Sequence, residues 1–378
     1  MRFFNYTLID QKICQLAGAI ETNLLTYINP QNLGEQKKKF FESLNKNEQY
    51  NPVFTYASRN PLYTYFDMNP NFKIYQNELK ELIKDLGEDS LGIIFEKKII
   101  DLFERMELVR SVGTENFAGN SESYYGTVDP QTLRRAKELL SKEIVLEEKK
   151  IHFDEAKKVI EAFLKKKKLN YKVKQRETEN GAKFSVNIRT KEIFINKDVF
   201  FSENTLRRLI AHEIEGHVYR YENGLLQPYG IFSRGLSKET LETEEGLAVY
   251  IEQQQKINID AQLKEYAGRV MAITTASKKS FFETFEEMNK YFSQEDSFTL
   301  ALRAKRGTWK QDVGSAFTKD ALYLKGLLLV EDFLKDQKVE TLYHGRYSIN
   351  DTPLALDIAG LVKPAHLPEC LKKESART

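Results

Sequence analysis

Cysteine is almost missing from this chain. Two occur in 378 residues, Cys14 and Cys370, one near each end. That pair supplies neither a disulfide framework nor a thiolate metal knot. No run of about 18 apolar residues is present to cross a bilayer as a helix. The N-terminal stretch lacks the apolar core and small-residue cleavage site of a secretory leader. The expectation is a cytoplasmic, reduced protein. Strong charge of one sign is missing too: 57 Lys and Arg against 55 Asp and Glu leave +2. Nothing there favours a nucleic-acid or membrane partner, and the run Lys165-Lys166-Lys167-Lys168 reads as a solvated helix end. Histidine is scarce; of five, His152, His344 and His366 stand alone.

Apolar and aromatic residues are plentiful. They make up 41% of the chain, with 24 Phe and 19 Tyr, enough for a large core. Helical periodicity dominates. Residues 8–46 read as two helices split at Asn29-Pro30, and 76–110 as two more. Asp129-Pro130 opens another, with proline in its first turn, and one more covers about 153–168. Between them, 50–73 holds Pro52, Pro61 and Pro70 among Phe54, Tyr56, Tyr63, Tyr65 and Phe66, and reads as an ordered irregular segment. Residues 113–126 read as a loop. Around 170 the period changes to two: 171–174, 184–189 and 192–196 alternate, which predicts a small antiparallel sheet with a hairpin at Thr190-Lys191. One of these strands is a candidate edge to hold an extended peptide as an added strand. From 239 onward the chain is nearly all helical, over about 239–256, 260–276, 280–292, 295–305 and 319–336. The proline-bearing tail, 345–378, is expected to wrap the surface.

The two remaining histidines lie on one predicted helix. Leu206, Leu209, Ile210, Ile214 and Val218 follow helical spacing, Ser202 and Asn204 offer N-cap oxygens, and Asn223-Gly224 is a stop signal. Residues 203–222 therefore read as one largely buried helix carrying His212-Glu213-Ile214-Glu215-Gly216-His217. The zinc-hydrolase motif His-Glu-x-x-His sets its imidazoles four apart on one face. Here the gap is five, and at about 100° per residue the second ring sits about 140° round from the first. A one-residue π-bulge brings the rings back toward one side, and Gly216 suits a local distortion or a close backbone approach. Two histidines and two glutamates on a helix can also form a solvated polar face. The apolar half-helix before them argues for burial, and buried ionisable groups are paired or metal-bound.

Catalytic zinc takes three protein ligands and keeps a position for water. His212 and His217 supply two. With no cysteine nearby, the third is a carboxylate on the next helix: Glu239, Glu242, Glu244 or Glu245. Glu244 and Glu245 both have apolar neighbours at helical spacing, and the pattern does not choose between them.

At these residues the chain resembles the tyrosine carboxypeptidase family, whose eukaryotic members act on tubulin tails at microtubules and whose bacterial relatives carry Gln-Glu-Gly-Leu-Ala. The resemblance rests on His212-Glu213 with His217, followed by Glu244-Glu245-Gly246-Leu247-Ala248. Supporting pieces are Gly113-Thr114 with Phe117 and Tyr125-Gly126, Arg306-Gly307, and Phe317-Thr318-Lys319-Asp320 with Tyr323-Leu324 and Gly326. Glu244 departs from the family glutamine, whereas the next glutamate matches.

The resemblance implies a predominantly helical α+β protein: a helical N-terminal region (1–145), a zincin-like metallopeptidase core (146–340) and a wrapping tail (341–378). It implies one zinc ion on His212, His217 and Glu245, with Glu213 beside it as general base and later proton donor. Tyr323 is the candidate second electrophile for the oxyanion. A carboxypeptidase also needs a cation for the terminal carboxylate; Arg303, Arg306 and Lys319 lie in the matching stretch, with a plain surface charge as the alternative for each. The implied substrate is a peptide or protein C-terminus, with a terminal tyrosine or other aromatic residue preferred. Two further readings remain open. One is a zinc-stabilised regulatory protein without catalysis, which the intact Glu213 does not favour. The other is a zinc amidohydrolase acting on a small molecule.

Overall fold

The structure is a computed structural model that describes residues 5–21, 24–57, 69–144, 148–176 and 184–372. Pro61, Tyr63, Tyr65 and Phe66 of the aromatic segment lie outside the described residues. The protein is predominantly helical, with one small sheet. The N-terminal part comprises α1 (Tyr6–Ile20), α2 (Leu24–Ile28), α3 (Leu33–Asn45), α4 (Asn69–Ile83), α5 (Ser90–Ser111), α6 (Asn116–Tyr125), α7 (Pro130–Leu140) and α8 (Phe153–Lys166). The break at Asn29-Pro30 falls between α2 and α3, and a further gap divides α1 from α2. Capping explains several starts. Asp89 accepts from Gly92 N at 2.8 Å, and Asp129 holds the N–H groups of Gln131 and Thr132 with Pro130 inside the first turn. The irregular segment is tied to the body at Tyr56, whose hydroxyl donates to Thr308 O at 3.2 Å and accepts from Gly307 N at 3.0 Å.

Two expectations fail here. Residues 116–125 are helix rather than loop; Phe117, Ser121, Tyr124 and Tyr125 bury one face, and that packing overrides a weak local signal. The sheet is mixed, not antiparallel. Its order is β1-β3-β2, with β1 (Lys172–Arg176), β2 (Phe184–Asn187) and β3 (Glu192–Asn196). β2 and β3 form the expected antiparallel hairpin, Asn187 opposite Glu192, while β1 pairs with β3 in parallel, Lys172 opposite Glu192. Alternation with period two reports which face is buried and carries no strand direction. Because β3 is paired on both sides, the edges left open among the described residues are those of β1 and β2.

The C-terminal part begins with α9 (Glu203–Leu209), a π-helix (Ile210–Val218) and α10 (Tyr219–Leu225), which run on as one rod. Ser202 caps it through Thr205 N at 3.0 Å. Asn223-Gly224 does not stop it. The Asn223 side chain instead accepts the N–H groups of Ala365 and His366, both at 2.9 Å, and pins the chain at 365–366. Then follow α11 (Ile231–Arg234), α12 (Thr240–Gln254), α13 (Asp260–Ala276), α14 (Phe281–Met288), α15 (Gln294–Lys305), a 3-10 turn (Lys319–Ala321), α16 (Leu322–Phe333), α17 (Thr352–Leu356) and α18 (Glu369–Lys372). No helix among the described residues is long and apolar enough to cross a membrane.

α12 lies between two cores. Leu247 and Ile251 join the larger one, with the sheet and the α9–α10 rod, while Val249 joins a smaller one built on α7, α13 and α16. Glycine sets both of its close crossings. A Cβ on Gly216 would stand 2.9 Å from Ala248 Cβ, and a Cβ on Gly246 would stand 2.1 Å from the Gly326 carbonyl carbon. The first brings the π-helix against α12; the second brings α16 and Tyr323 beside it.

Candidate metal centre

The five-residue gap between the histidines is met by the backbone. Nine residues, Ile210–Val218, adopt the wider π geometry, in which bonding from i to i+5 returns side chains to one side after about five residues. This is broader than the single bulge expected. The rings of His212 and His217 stand 5.0 Å apart between centroids, at 83°. Glu245, from α12, faces both: its Oε2 lies 3.5 Å from His212 Nε2 and 3.8 Å from His217 Nε2. Ligand atoms of the three residues all fall within 4.8 Å of one another.

The other nitrogen of each imidazole is occupied by a carboxylate. His212 Nδ1 is 2.7 Å from Glu252 Oε1, and His217 Nδ1 is 3.3 Å from Glu244 Oε2. A carboxylate accepts only, so each Nδ1 carries a proton, and each Nε2 faces Glu245. Glu252 is fully buried; its Oε1 also takes Arg208 Nη1 at 2.9 Å and Tyr266 OH at 3.1 Å. Glu244 is held by Arg220 and by Arg346 Nε at 3.2 Å. Arg220 also donates to the carbonyls of Leu342, Gly345 and Tyr347. Glu244, the rival third ligand from the sequence pattern, thus supports a ring from behind. Glu252 was not anticipated. Its one signal was its position seven residues after Glu245, two turns on along the same face and at the end of the apolar run 247–251.

Charge couples His212 and Glu245. Burial would lower the His212 pKa, but Glu245 and Glu252 raise it to about 10. Burial would raise Glu245, but His212, His217 and Lys319 bring it to about 2. Glu245 Oε2 is nevertheless a buried oxygen without a hydrogen-bond partner. Glu213 is half-buried, and no hydrogen bond or ion pair from the described residues engages its carboxylate.

The remaining expected residues form one wall. Tyr323 stacks on His212, with centroids 6.1 Å apart at 22°, and on Tyr266 at 4.9 Å and 8°. Arg269 lies over both tyrosine rings, at 5.0 and 4.6 Å. Burial and the nearby Glu245 push the Tyr323 hydroxyl far above its ordinary pKa, so it stays a donor. Arg303 Nε pairs with Asp320 at 2.6 Å, and Arg306 Nη2 stands 3.6 Å from the same carboxylate. Burial would raise Asp320, but Arg303, Arg306 and Arg269 hold it well below the usual range. Lys319 has no hydrogen-bonding partner among the described residues and lies in the field of Glu245 and Asp320; burial lowers its pKa. Arg303, expected as a substrate cation, is therefore bound to a carboxylate that no sequence pattern pairs with it. Arg269 and Tyr266 were also missed; they lie on a helix with no motif of its own.

A family model described as microtubule-associated tyrosine carboxypeptidase matches residues 38–377. The human protein named putative tyrosine carboxypeptidase MATCAP2 is 31% identical over 133 residues, covering 34% of this chain and 25% of that protein. The rat protein named microtubule-associated tyrosine carboxypeptidase 1 is 32% identical over 133 residues, covering 33% of this chain and 27% of that protein. The chain thus spans about a quarter of the length of the curated relatives it matches.

Proposed function

This chain belongs to the microtubule-associated tyrosine carboxypeptidase family, and on that premise we propose that it is a zinc-dependent carboxypeptidase with a zincin-like core, releasing the C-terminal residue of a peptide or protein. The observation that carries the reading is the convergence of two Nε2 atoms and one unpartnered buried carboxylate oxygen, with both Nδ1 atoms tied off behind. Two imidazoles and one carboxylate are the donor set of an open catalytic zinc site, and His212, His217 and Glu245 fit it. Bound there, zinc supplies Lewis acidity to the scissile carbonyl and to a water.

The chain's own residues do the rest. Glu213, adjacent to a ligand and unengaged, takes a proton from the attacking water and returns it to the leaving amine. The Tyr323 hydroxyl, kept protonated by burial, donates to the developing oxyanion. Lys319 is the cation best placed for the terminal carboxylate, because it alone of the three proposed cations has no carboxylate bonded to it. Arg303 and Arg306, anchored on Asp320, build the positive wall behind it. A terminal tyrosine or other aromatic residue is the proposed preference, following the relatives' names.

The test is a C-terminal peptide library digested by zinc-loaded wild type and by Glu213→Gln. Single terminal residues should be released by wild type alone. Release of nothing by either protein, with zinc bound stoichiometrically, would sink the peptidase reading.

A further inference from the structure

A change of bonding register lies at the end of the π-helix that carries the two imidazoles. In a π-helix each carbonyl takes the N–H five residues on; in an α-helix it takes the one four residues on. The Tyr219 N–H donates to Ile214 O, an interval of five, and α10 begins at Tyr219. Where the interval shortens from five to four, two carbonyls reach for one N–H and one is passed over. Ile214 O already holds the Tyr219 N–H, which is the donor Glu215 O needs at an interval of four. Glu215 O is therefore the carbonyl left over, and Glu215 lies between His212 and His217 in the chain.

A buried carbonyl is seldom left without a donor. Here the donor is a side chain from far along the chain: the Tyr343 hydroxyl donates to Glu215 O at 3.0 Å. Tyr343 ends a 3-10 turn, Val339–Tyr343, and is fully buried. Burial and the Glu215 carboxylate hold its hydroxyl far above the ordinary pKa, so it remains a donor. The segment that carries it is fastened to the rod. Arg220, on α10, donates through Nε to the carbonyls of Leu342 at 2.8 Å and Gly345 at 3.1 Å, and through Nη2 to Tyr347 O at 2.6 Å. On its far side the segment meets α11. The Arg346 N–H donates to Phe232 O at 2.7 Å, and a Cβ on Gly345 would stand 2.9 Å from that same oxygen. Residues 342–347 thus form a strap drawn tight over the exit of the π-helix.

We propose that Tyr343 is a positioning residue: its hydroxyl holds the π-helix exit in register and so keeps His212 and His217 facing one carboxylate. Without that hydroxyl, Glu215 O regains a donor by taking the Tyr219 N–H at an interval of four. That step returns the turn toward α geometry, in which a five-residue gap sets two side chains about 140° apart. Tyr343 acts through the backbone, unlike Glu244 and Glu252, which hold the ring nitrogens. The consequence for zinc rests on the metal centre proposed above; the register itself does not.

The experiment compares full-length wild type, Tyr343→Phe and Tyr347→Phe. Tyr347 is the control, a fully buried tyrosine on the same strap whose hydroxyl donates to Thr341 O, outside the rod. Each substitution removes one buried hydroxyl and keeps the ring. In a crystal structure of metal-free Tyr343→Phe, the Tyr219 N–H should be bonded to Glu215 O and the His217 ring turned from Glu245. In Tyr347→Phe both should stand as in wild type. Zinc affinity, from competition with a chelator, should fall about tenfold in Tyr343→Phe and keep the wild-type value in Tyr347→Phe. With cobalt(II) in place of zinc, the visible ligand-field bands should change in Tyr343→Phe alone, the mark of a displaced imidazole. An unchanged π-helix in metal-free Tyr343→Phe, or equal losses of zinc affinity in the two variants, overturns the role. If wild type takes up no zinc, the metal reading fails by itself, and a register shift confined to Tyr343→Phe still upholds the role of Tyr343.

Discussion

His212 and His217 present their Nε2 atoms to the same carboxylate from different ground. On the His212 side everything is sealed: the ring is walled by Tyr323, and Glu252 behind it is fully buried. Arg208, the cation that neutralises Glu252, has no second hydrogen-bond acceptor among the described residues. On the His217 side the ring is 18% exposed and Glu244 is shared by two arginines, one of which also holds three backbone carbonyls. Both sides fix the same tautomer. The first does so with a chain in which each member depends on the next, the second with redundant contacts. The inner half should therefore be brittle and the outer half tolerant.

The largest effect should come from Glu245→Ala, which removes the group both rings share. Zinc content, read by elemental analysis after dialysis, should fall at least about tenfold, with the circular dichroism spectrum unchanged. Stoichiometric zinc in that variant would exclude Glu245 as a ligand. Next is Glu252→Gln. It leaves Arg208 with no hydrogen-bonded carboxylate and gives the His212 Nδ1–H a neutral acceptor in place of a charged one, so chemical denaturation of the metal-free protein should show a loss of roughly 3 kcal/mol, and zinc affinity should drop about 10–100-fold. Gly216→Ala tests whether the two halves must be pressed together. Its Cβ would meet Ala248 at 2.9 Å, an overpacking that costs about 1–3 kcal/mol, and moving α12 should weaken zinc binding alongside stability. A variant as stable as wild type would show that the crossing yields freely.

The smallest effect is expected from Glu244→Gln. The amide oxygen still accepts from His217, and Arg220 keeps its carbonyls, so zinc affinity should change less than in Glu252→Gln. Equal losses in the two would erase the contrast between the halves. The pH profile separates them further. Burial would raise the Glu244 pKa, but Arg346 and Arg220 hold it well below the ordinary 4.5. The unfolded chain therefore binds more protons in that range. This stability is fully present above about pH 4.5 and is lost as pH falls below it. Glu244→Gln should flatten that acid limb when unfolding is followed from pH 6 downward.

Much of this centre could be read along the chain. The five-residue histidine gap on an otherwise helical pattern demanded a distortion, and the π-helix supplies it. The helix expected at 260–276 is α13 residue for residue. Asp129-Pro130 marked a start because capping is local chemistry. The misses share one cause. Strand direction in the sheet, the helix at 116–125, and the passage of α10 through Asn223-Gly224 were each decided by a distant partner: β3 beside β1, the buried face of α6, and the tail backbone at 365–366. The same holds for the charges. Nothing near Arg303 in the sequence announces Asp320, and nothing near His212 announces Glu252.

The sequence by itself set the donor residues, their spacing and the helices that carry them, because periodicity, capping and backbone geometry act over a few residues. Only the tertiary structure decided which carboxylate lies open between two imidazoles, which ones stand behind them, and which cations are left without a counter-charge. Neutralisation depends on distance in space, and side chains that neutralise one another here are separated by 24 residues at Arg220 and Glu244, 44 at Arg208 and Glu252, and 168 at Arg189 and Glu21.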